Sequence, residues 1–395
     1  AGAQAGSVLG TALAIKMVAY VGLAPIANAV SEFLPRRATM VALDVIRAAI
    51  VAFLPFVDQV WQIYLLIFLL QSASAAFTPA FQATIPDLVP DEAEYTQALS
   101  LSRLAYDLEN LVSPIVAAAA LGVVSFHALF GVTVLGFLGS ALLVATVALP
   151  TPAGRRVRVA AIARITRGLR IYLATPRLRG LLALSMVAAA AGAAVIVNTV
   201  IVVQGQLGLD ARHTAFAFAS FGGGSMIAAL ALPRLLGRFS DRTVMLWAGF
   251  ALVAGLAACS RVVSFEWLLP AWLGMGLAYG AVQTPAGRLV VRSALSSDRR
   301  AVFAAQFSLS HACWLVAYPL AGRYGAAFGV QDAFIVLAAV AAVAAVVGAW
   351  LWPARESAGV VHEHRDLHPE HPHLRDSRNR GRMHCHAIAG DPLHA

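Results

Sequence analysis

The chain has 395 residues, 59% of them hydrophobic and only 12% charged, with a mean hydropathy of +0.75. Soluble domains carry about 25% charged and about 45–50% apolar residues, so the composition excludes an ordinary soluble domain and points to a polytopic membrane protein. The formal net charge of +9 rests on arginine, with Lys16 the sole lysine. Those arginines sit in short loops between apolar runs, which argues for membrane topology and against a nucleic-acid-binding face.

A spanning helix needs about 20 predominantly apolar residues. Eleven stretches qualify, at 7–31, 39–57, 60–82, 96–121, 127–149, 180–204, 213–236, 243–261, 265–286, 301–322 and 332–352. They predict an all-α, polytopic bundle of eleven transmembrane helices. Prolines inside the spans, such as Pro25, Pro55, Pro114, Pro270 and Pro319, suit a membrane bundle, where neighbouring helices satisfy the freed backbone groups. The chain begins at Ala1 without a basic signal-peptide start, and an incomplete N-terminus is expected.

Taken in order, the first connection carries Glu32, Arg36 and Arg37, and the loop around Asp87, Asp91, Glu92 and Glu94 is acidic. The connection 150–180 has no acid and eight arginines. Two readings of it are open, an amphipathic helix on an anionic leaflet or a solvated linker. Counted over alternate loops, seventeen arginines fall on one side, against Arg212, Arg261 and Arg323 on the other. That bias assigns the rich side and the C-terminus to the cytoplasm. The organisation expected is an N-terminal bundle (1–150), a basic central loop (151–179), a C-terminal bundle (180–352) and a histidine-rich, disordered cytoplasmic tail (353–395).

A repeat supports two related halves. Thr78-Pro79-Ala80 matches Thr284-Pro285-Ala286, and Ser100-Leu101-Ser102 matches Ser308-Leu309-Ser310. The residue that follows is ionisable each time, Arg103 and then His311. Polar groups at matched depth in duplicated halves are how such transporters build a central site.

The stretch Ser31-Glu32-Phe33-Leu34-Pro35-Arg36-Arg37 resembles the loop signature G-x-x-x-D-R-x-G-R-R of the major facilitator superfamily. Glu32 stands at the Asp position, Phe33 and Pro35 replace Arg and Gly, and the arginine pair is kept. The run from Pro79 to Pro90, followed by Ala98-Leu99, is similar to the branch with siderophore and macrolide exporters. The run AAQFSLSHACWLVAYPLAG and the histidine-rich tail resemble a bacterial exporter group that includes nickel-resistance permeases. The resemblance implies twelve helices with the first one missing here, alternating access, and conformational gating through Glu32, Arg36, Arg37, Asp44 and Arg47.

Charges within the spans are Lys16, Asp44, Arg47, Arg103, Asp107 and Glu109, and each costs about 2.5–3.5 kcal/mol at a helix centre. Arg103, Tyr106, Asp107, Asn110 and Pro114 recur at helical spacing and share one face, which must look into the bundle. Arg103 and Asp107 either lock that helix as a neutralised pair or relay protons or substrate. Asp44 and Arg47 read as support for the neighbouring basic loop. Lys16 sits near mid-membrane and needs an acidic partner or an aqueous cavity. His311, at similar depth, is either a satisfied buried imidazole or a proton or metal ligand.

The tail carries His362, His364, His368, His371, His373, His384 and His386 with Cys385, a composition that binds nickel, cobalt or zinc loosely; a solvated tail without transport function is the other reading. No P-loop, GxSxG, HExxH or dinucleotide fingerprint occurs, so no enzyme activity and no cofactor are expected. The expected function is proton-coupled efflux across a bacterial inner membrane by a monomer in contact with lipid and no nucleic acid. Three cargo readings stay open, a divalent metal ion, a small organic compound, or none, in a membrane metal sensor.

Overall fold

The computed structural model describes residues 15–27, 29, 35–121, 125–147, 161–261, 264–295, 298–354, 360–363 and 383–386. Fourteen helices follow one another among them: α1 (Ile15–Ala27), α2 (Arg36–Phe53), α3 (Val60–Leu88), α4 (Glu92–Leu121), α5 (Phe126–Thr146), α6 (Ala161–Ala174), α7 (Pro176–Val200), α8 (Ala211–Leu236), α9 (Asp241–Cys259), α10 (Phe265–Gln283), α11 (Ala286–Ser293), α12 (Arg299–Pro319), α13 (Gly325–Phe328) and α14 (Val330–Leu351). Eight helical segments among the described residues are long and apolar enough to cross a bilayer. The other three expected spans are helical too, but α1 is described over only 15–27, α4 carries Glu92, Glu94, Arg103, Asp107 and Glu109, and α10 carries Glu266 in its first turn and ends at Gln283.

Local chemistry sets the helix ends. Asp210, Ser240 and Ser264 accept hydrogen bonds from the backbone N–H of His213, Thr243 and Trp267, meeting donors that a helix start leaves unpaired. Gln59 and Gln62 cap α3 reciprocally. Pro319 ends the regular part of α12, and a π turn at Leu320–Tyr324 takes up the irregularity, as expected where proline removes a backbone donor. The central basic connection contains α6, whose Tyr172 is buried and donates to Gln306 Oε1 on α12. That favours the helical reading of this connection.

In the N-terminal part α2 packs on α3 and α5, while in the C-terminal part α7 is surrounded by α9, α12 and α14, and α8 pairs with α10. The two parts meet where α4 lies on α8 and α3 on α12. The middle of α7 is a run of buried small residues, Ala188 to Ala191, Gly192, Ala193 and Ala194. Small side chains let helix backbones approach where lipid supplies no hydrophobic drive to associate. The α8/α10 crossing is tighter still, because a Cβ at Gly276 would lie 1.9 Å from the Phe221 carbonyl oxygen and one at Gly224 would lie 2.1 Å from that of Leu273. Beyond the bundle, Val360–Glu363 (β1) pairs antiparallel with Met383–His386 (β2), placing Val360 opposite His386 and His362 opposite His384. β-branched Val360 and Val361 suit a strand; most of the tail expected to be disordered lies outside the described residues.

Gly276→Ala is expected to destabilise the protein by about 1–3 kcal/mol through overpacking, read as a lower unfolding temperature in detergent. Gly274→Ala, which meets nothing within 4 Å, should leave that temperature unchanged.

Candidate functional site

Two polar clusters lie between the N-terminal and C-terminal helices, with an ionic cluster at the arginine-rich end. The first is organised by α4. Its start is capped by Asp91, which accepts from the Ala93 and Glu94 amides at 3.0 and 2.9 Å. One turn apart on the face that meets α8, Arg103 Nη2 and Nε donate to Asp107 Oδ1 and Oδ2 at 2.6 and 3.0 Å. Such bidentate, charge-assisted pairing is the strong form of this contact. The same guanidinium donates to Ser225 Oγ on α8 at 3.1 and 3.3 Å, and its Cζ lies 5.0 Å from the Tyr279 ring on α10. Ser225 follows Gly224, so the tight α8/α10 crossing places the hydroxyl that receives Arg103. Asp107 is 6% exposed. Tyr106, 55% exposed, sits at the margin with its ring 5.2 Å from Arg103. The Asn110 side chain lies outside the described residues.

The second cluster joins α1, α3 and α12. Tyr20 donates to Gln71 Oε1 at 2.7 Å, and its ring stands edge-on to His311 at 4.7 Å. Lys16 Nζ lies 5.5 Å from that ring, and among the described residues no carboxylate pairs with it. His311 Nδ1 is 2.7 Å from the Phe307 carbonyl oxygen. A carbonyl only accepts, so Nδ1 carries the proton and a neutral ring presents Nε2 as an acceptor. Ser308 donates to the Val21 carbonyl, tying α12 to α1. Arg103 and His311, matched in the repeat, therefore sit at two different junctions, α4 with α8 and α12 with α1.

At the arginine-rich end Asp87 of α3 receives Arg36 of α2 and, at 3.2 Å, Arg299 of α12. Glu92 of α4 meets Arg292 and, at 2.8 Å, Arg288 of α11. Asp241 of α9 holds Arg292 at 2.5 Å, and Arg288 donates to Thr96 at 3.2 Å. Arg167 of α6 pairs with Asp298 at 2.6 Å; burial pushes the Asp298 carboxyl above its ordinary value, against the pull of that guanidinium.

The sequence pattern singled out Arg36 for this end but not Asp87, Glu92, Asp241, Arg288, Arg292 or Arg299. Their signal was an acidic loop facing Arg288 and Arg292 at helical spacing. Ser225, Tyr20, Gln71 and Tyr279 carry no charge and left none. Of the other gating candidates, Arg37 donates to the Val147 carbonyl at 2.5 Å. Asp44, fully buried, binds Arg47 and accepts from Ser140 at 2.8 Å, while Arg47 Cζ lies 4.0 and 4.7 Å from the Phe77 and Phe137 rings. Those contacts join α2, α3 and α5 and do not reach the C-terminal helices. Glu32 lies outside the described residues, as do His364, His368, His371 and His373. His362, His384, Cys385 and His386 fall on β1 and β2. Among the described residues no three His, Cys, Asp or Glu side chains come together as a metal site.

The sequence matches the Major Facilitator Superfamily profile over residues 3–258 and 181–374. The chain belongs to the major facilitator superfamily. It is 29% identical to macrolide efflux protein A of Streptococcus pyogenes over 152 residues, 36% of this chain and 37% of that protein. To the uncharacterized transporter YfiS of Bacillus subtilis it is 26% identical over 121 residues, 31% of this chain and 29% of that one. The chain thus aligns with about a third of the length of these relatives. Among solved structures, the human organic anion transporter MFSD10 superposes with a TM-score of 0.73 at 14% identity, covering 87% of this chain and 83% of that one. The fucose:proton symporter FucP of E. coli gives 0.69 at 14% identity, covering 89% and 92%. At such identity the likeness is one of fold, and the fold is that of this superfamily's multi-pass membrane proteins.

Breaking the α4 pair should strand a buried charge. Arg103→Gln and Asp107→Asn are each expected to cost about 3–5 kcal/mol. The double variant should cost about 1–3 kcal/mol less than their sum, measured as a thermal-unfolding cycle in detergent.

Proposed function

We propose that this facilitator-superfamily protein is a secondary active exporter working by alternating access, in the state closed on the cytoplasmic side. The observation that carries the reading is the ionic cluster of Asp87 and Glu92 with Arg288, Arg292 and Arg299, which holds the two sets of helices together at one end. The seventeen-to-three arginine bias supports placing that end, and the tail, on the cytoplasmic side. Deeper in the junction, the paired Asp107 carboxylate and the His311 imidazole are the proton-carrying groups this reading would use.

A small organic compound is the cargo this interior suits better. Lys16 brings positive charge to the junction, Arg103 and Asp107 neutralise one another, and Tyr20, Tyr106 and Tyr279 offer flat apolar faces. A divalent cation meets repulsion there, whereas an aromatic or amphipathic solute finds stacking surfaces and donors. The partial likeness to macrolide efflux proteins supports the same choice. A metal cargo is the second reading, favoured by the histidines of the tail.

Expression in a macrolide-sensitive bacterium is expected to lower drug accumulation, and Arg103→Gln to abolish at least ~90% of that effect, about 1.4 kcal/mol or more of coupling. Collapsing the proton gradient should do the same. Asp87→Asn should speed amide exchange at the start of α12 by releasing Arg299 and loosening the closed end. Accumulation equal to that of the empty vector, together with nickel or cobalt tolerance that disappears when residues 359–395 are deleted, would transfer the assignment to metal.

A further inference from the structure

Away from the junction, α7, α12 and α14 frame an open furrow of about 870 Å³ on the outer face of the bundle. Met186, Leu309 and Ala312 form its floor, and exposed Leu173, Val316 and Val343 form its rims, the last 66% exposed. Its contacts along α14 run from Ala339 to Leu351, roughly 18 Å at 1.5 Å per residue. That is close to half of a ~30 Å hydrocarbon core, so the furrow matches a single leaflet.

The wall is apolar except at one end. Arg179, in the first turn of α7, borders the furrow at its arginine-rich mouth. Its Nε is buried and has no hydrogen-bond partner among the described residues. Two other cations at this level are committed elsewhere: Arg242 donates to the Trp352 and Ala349 carbonyls at 2.8 and 3.0 Å, and Arg167 pairs with Asp298. Trp350, 80% exposed near the end of α14, has the position of an interfacial aromatic anchor. The mouth therefore lies at headgroup depth.

We infer that the furrow binds one anionic phospholipid of the arginine-rich leaflet, its acyl chain lying along α14 and its phosphate held by Arg179. An unmatched guanidinium at the boundary of an apolar channel is a phosphate-recognition arrangement, and a leaflet-long groove selects a lipid over a compact solute. The inference requires only that α7, α12 and α14 cross a bilayer, and it is independent of cargo or direction.

Native mass spectrometry of the full chain, titrated with phosphatidylglycerol or phosphatidylcholine, tests it. The unmodified chain is expected to retain one phosphatidylglycerol at least threefold better than phosphatidylcholine. Arg179→Gln should erase that preference, while Ala339→Trp, which fills the furrow from an exposed position, should reduce retention of both lipids. Each variant is first checked for an unchanged unfolding temperature in detergent; if Arg179→Gln fails that check, Ala339→Trp decides. Equal retention by the unmodified chain and the folded variants would overturn the inference, as would a dimer that Ala339→Trp dissolves, since the furrow would then be a contact between copies. Loss of lipid selectivity with drug export intact would still support the site.

Discussion

A charge inside a bilayer must find its counterpart within the protein, and this molecule is arranged around how it meets that demand. Arg103 is the clearest case. Asp107, one helical turn away, neutralises it, and Ser225 from the other half of the bundle accepts from the same two guanidinium nitrogens, Nε and Nη2. Asp44 and Arg47 solve the same problem inside one half, with Ser140 completing the carboxylate and two phenyl rings flanking the guanidinium. A pair closed within its own half fixes a fold. One that borrows a hydroxyl from across the junction can also register how the halves sit.

That arrangement depends on packing by small side chains. Because lipid tails are as apolar as leucine, helices here gain little from burying hydrocarbon and depend on close backbone approach. Glycines at the α8/α10 crossing bring Ser225 and Tyr279 to the same guanidinium, and alanines along α7 let three neighbours close around it. Large apolar residues are found both inside, as with buried Trp272, Trp352 and Phe334, and on the outer face, as with exposed Leu135, Leu142 and Leu143 on α5.

Much of this was legible in the residues. Apolar runs gave the helices, and the i, i+4 spacing of Arg103 and Asp107 gave their pairing. The Thr-Pro-Ala and Ser-Leu-Ser repeats singled out α4 and α12, both of which lie at the junction. Partner choice was less legible. Ser225 and Gln71 are ordinary polar residues until tertiary packing sets them against Arg103 and Tyr20. Asp87 and Arg299 are 212 positions apart, a separation at which no local pattern records contact. Lys16 shows the limit from the other direction: of the acidic partner or aqueous cavity expected for it, no carboxylate pairs with it among the described residues, and the face of Tyr20 lies beside it.

Asp87 is shared unequally. Arg36 belongs to its own set of helices and Arg299 to the opposite set. Under the proposed alternating access, parting of the halves would leave the carboxylate its local cation and remove only the distant one. Parting would then not leave Asp87 a bare anion, which would cost several kcal/mol in a poorly solvated cleft, whereas Glu92 has its cations, Arg288 and Arg292, on the opposite set alone. The bolt at this end can slide while its socket stays charged and ready, so that reclosing needs no fresh desolvation of Asp87 by itself.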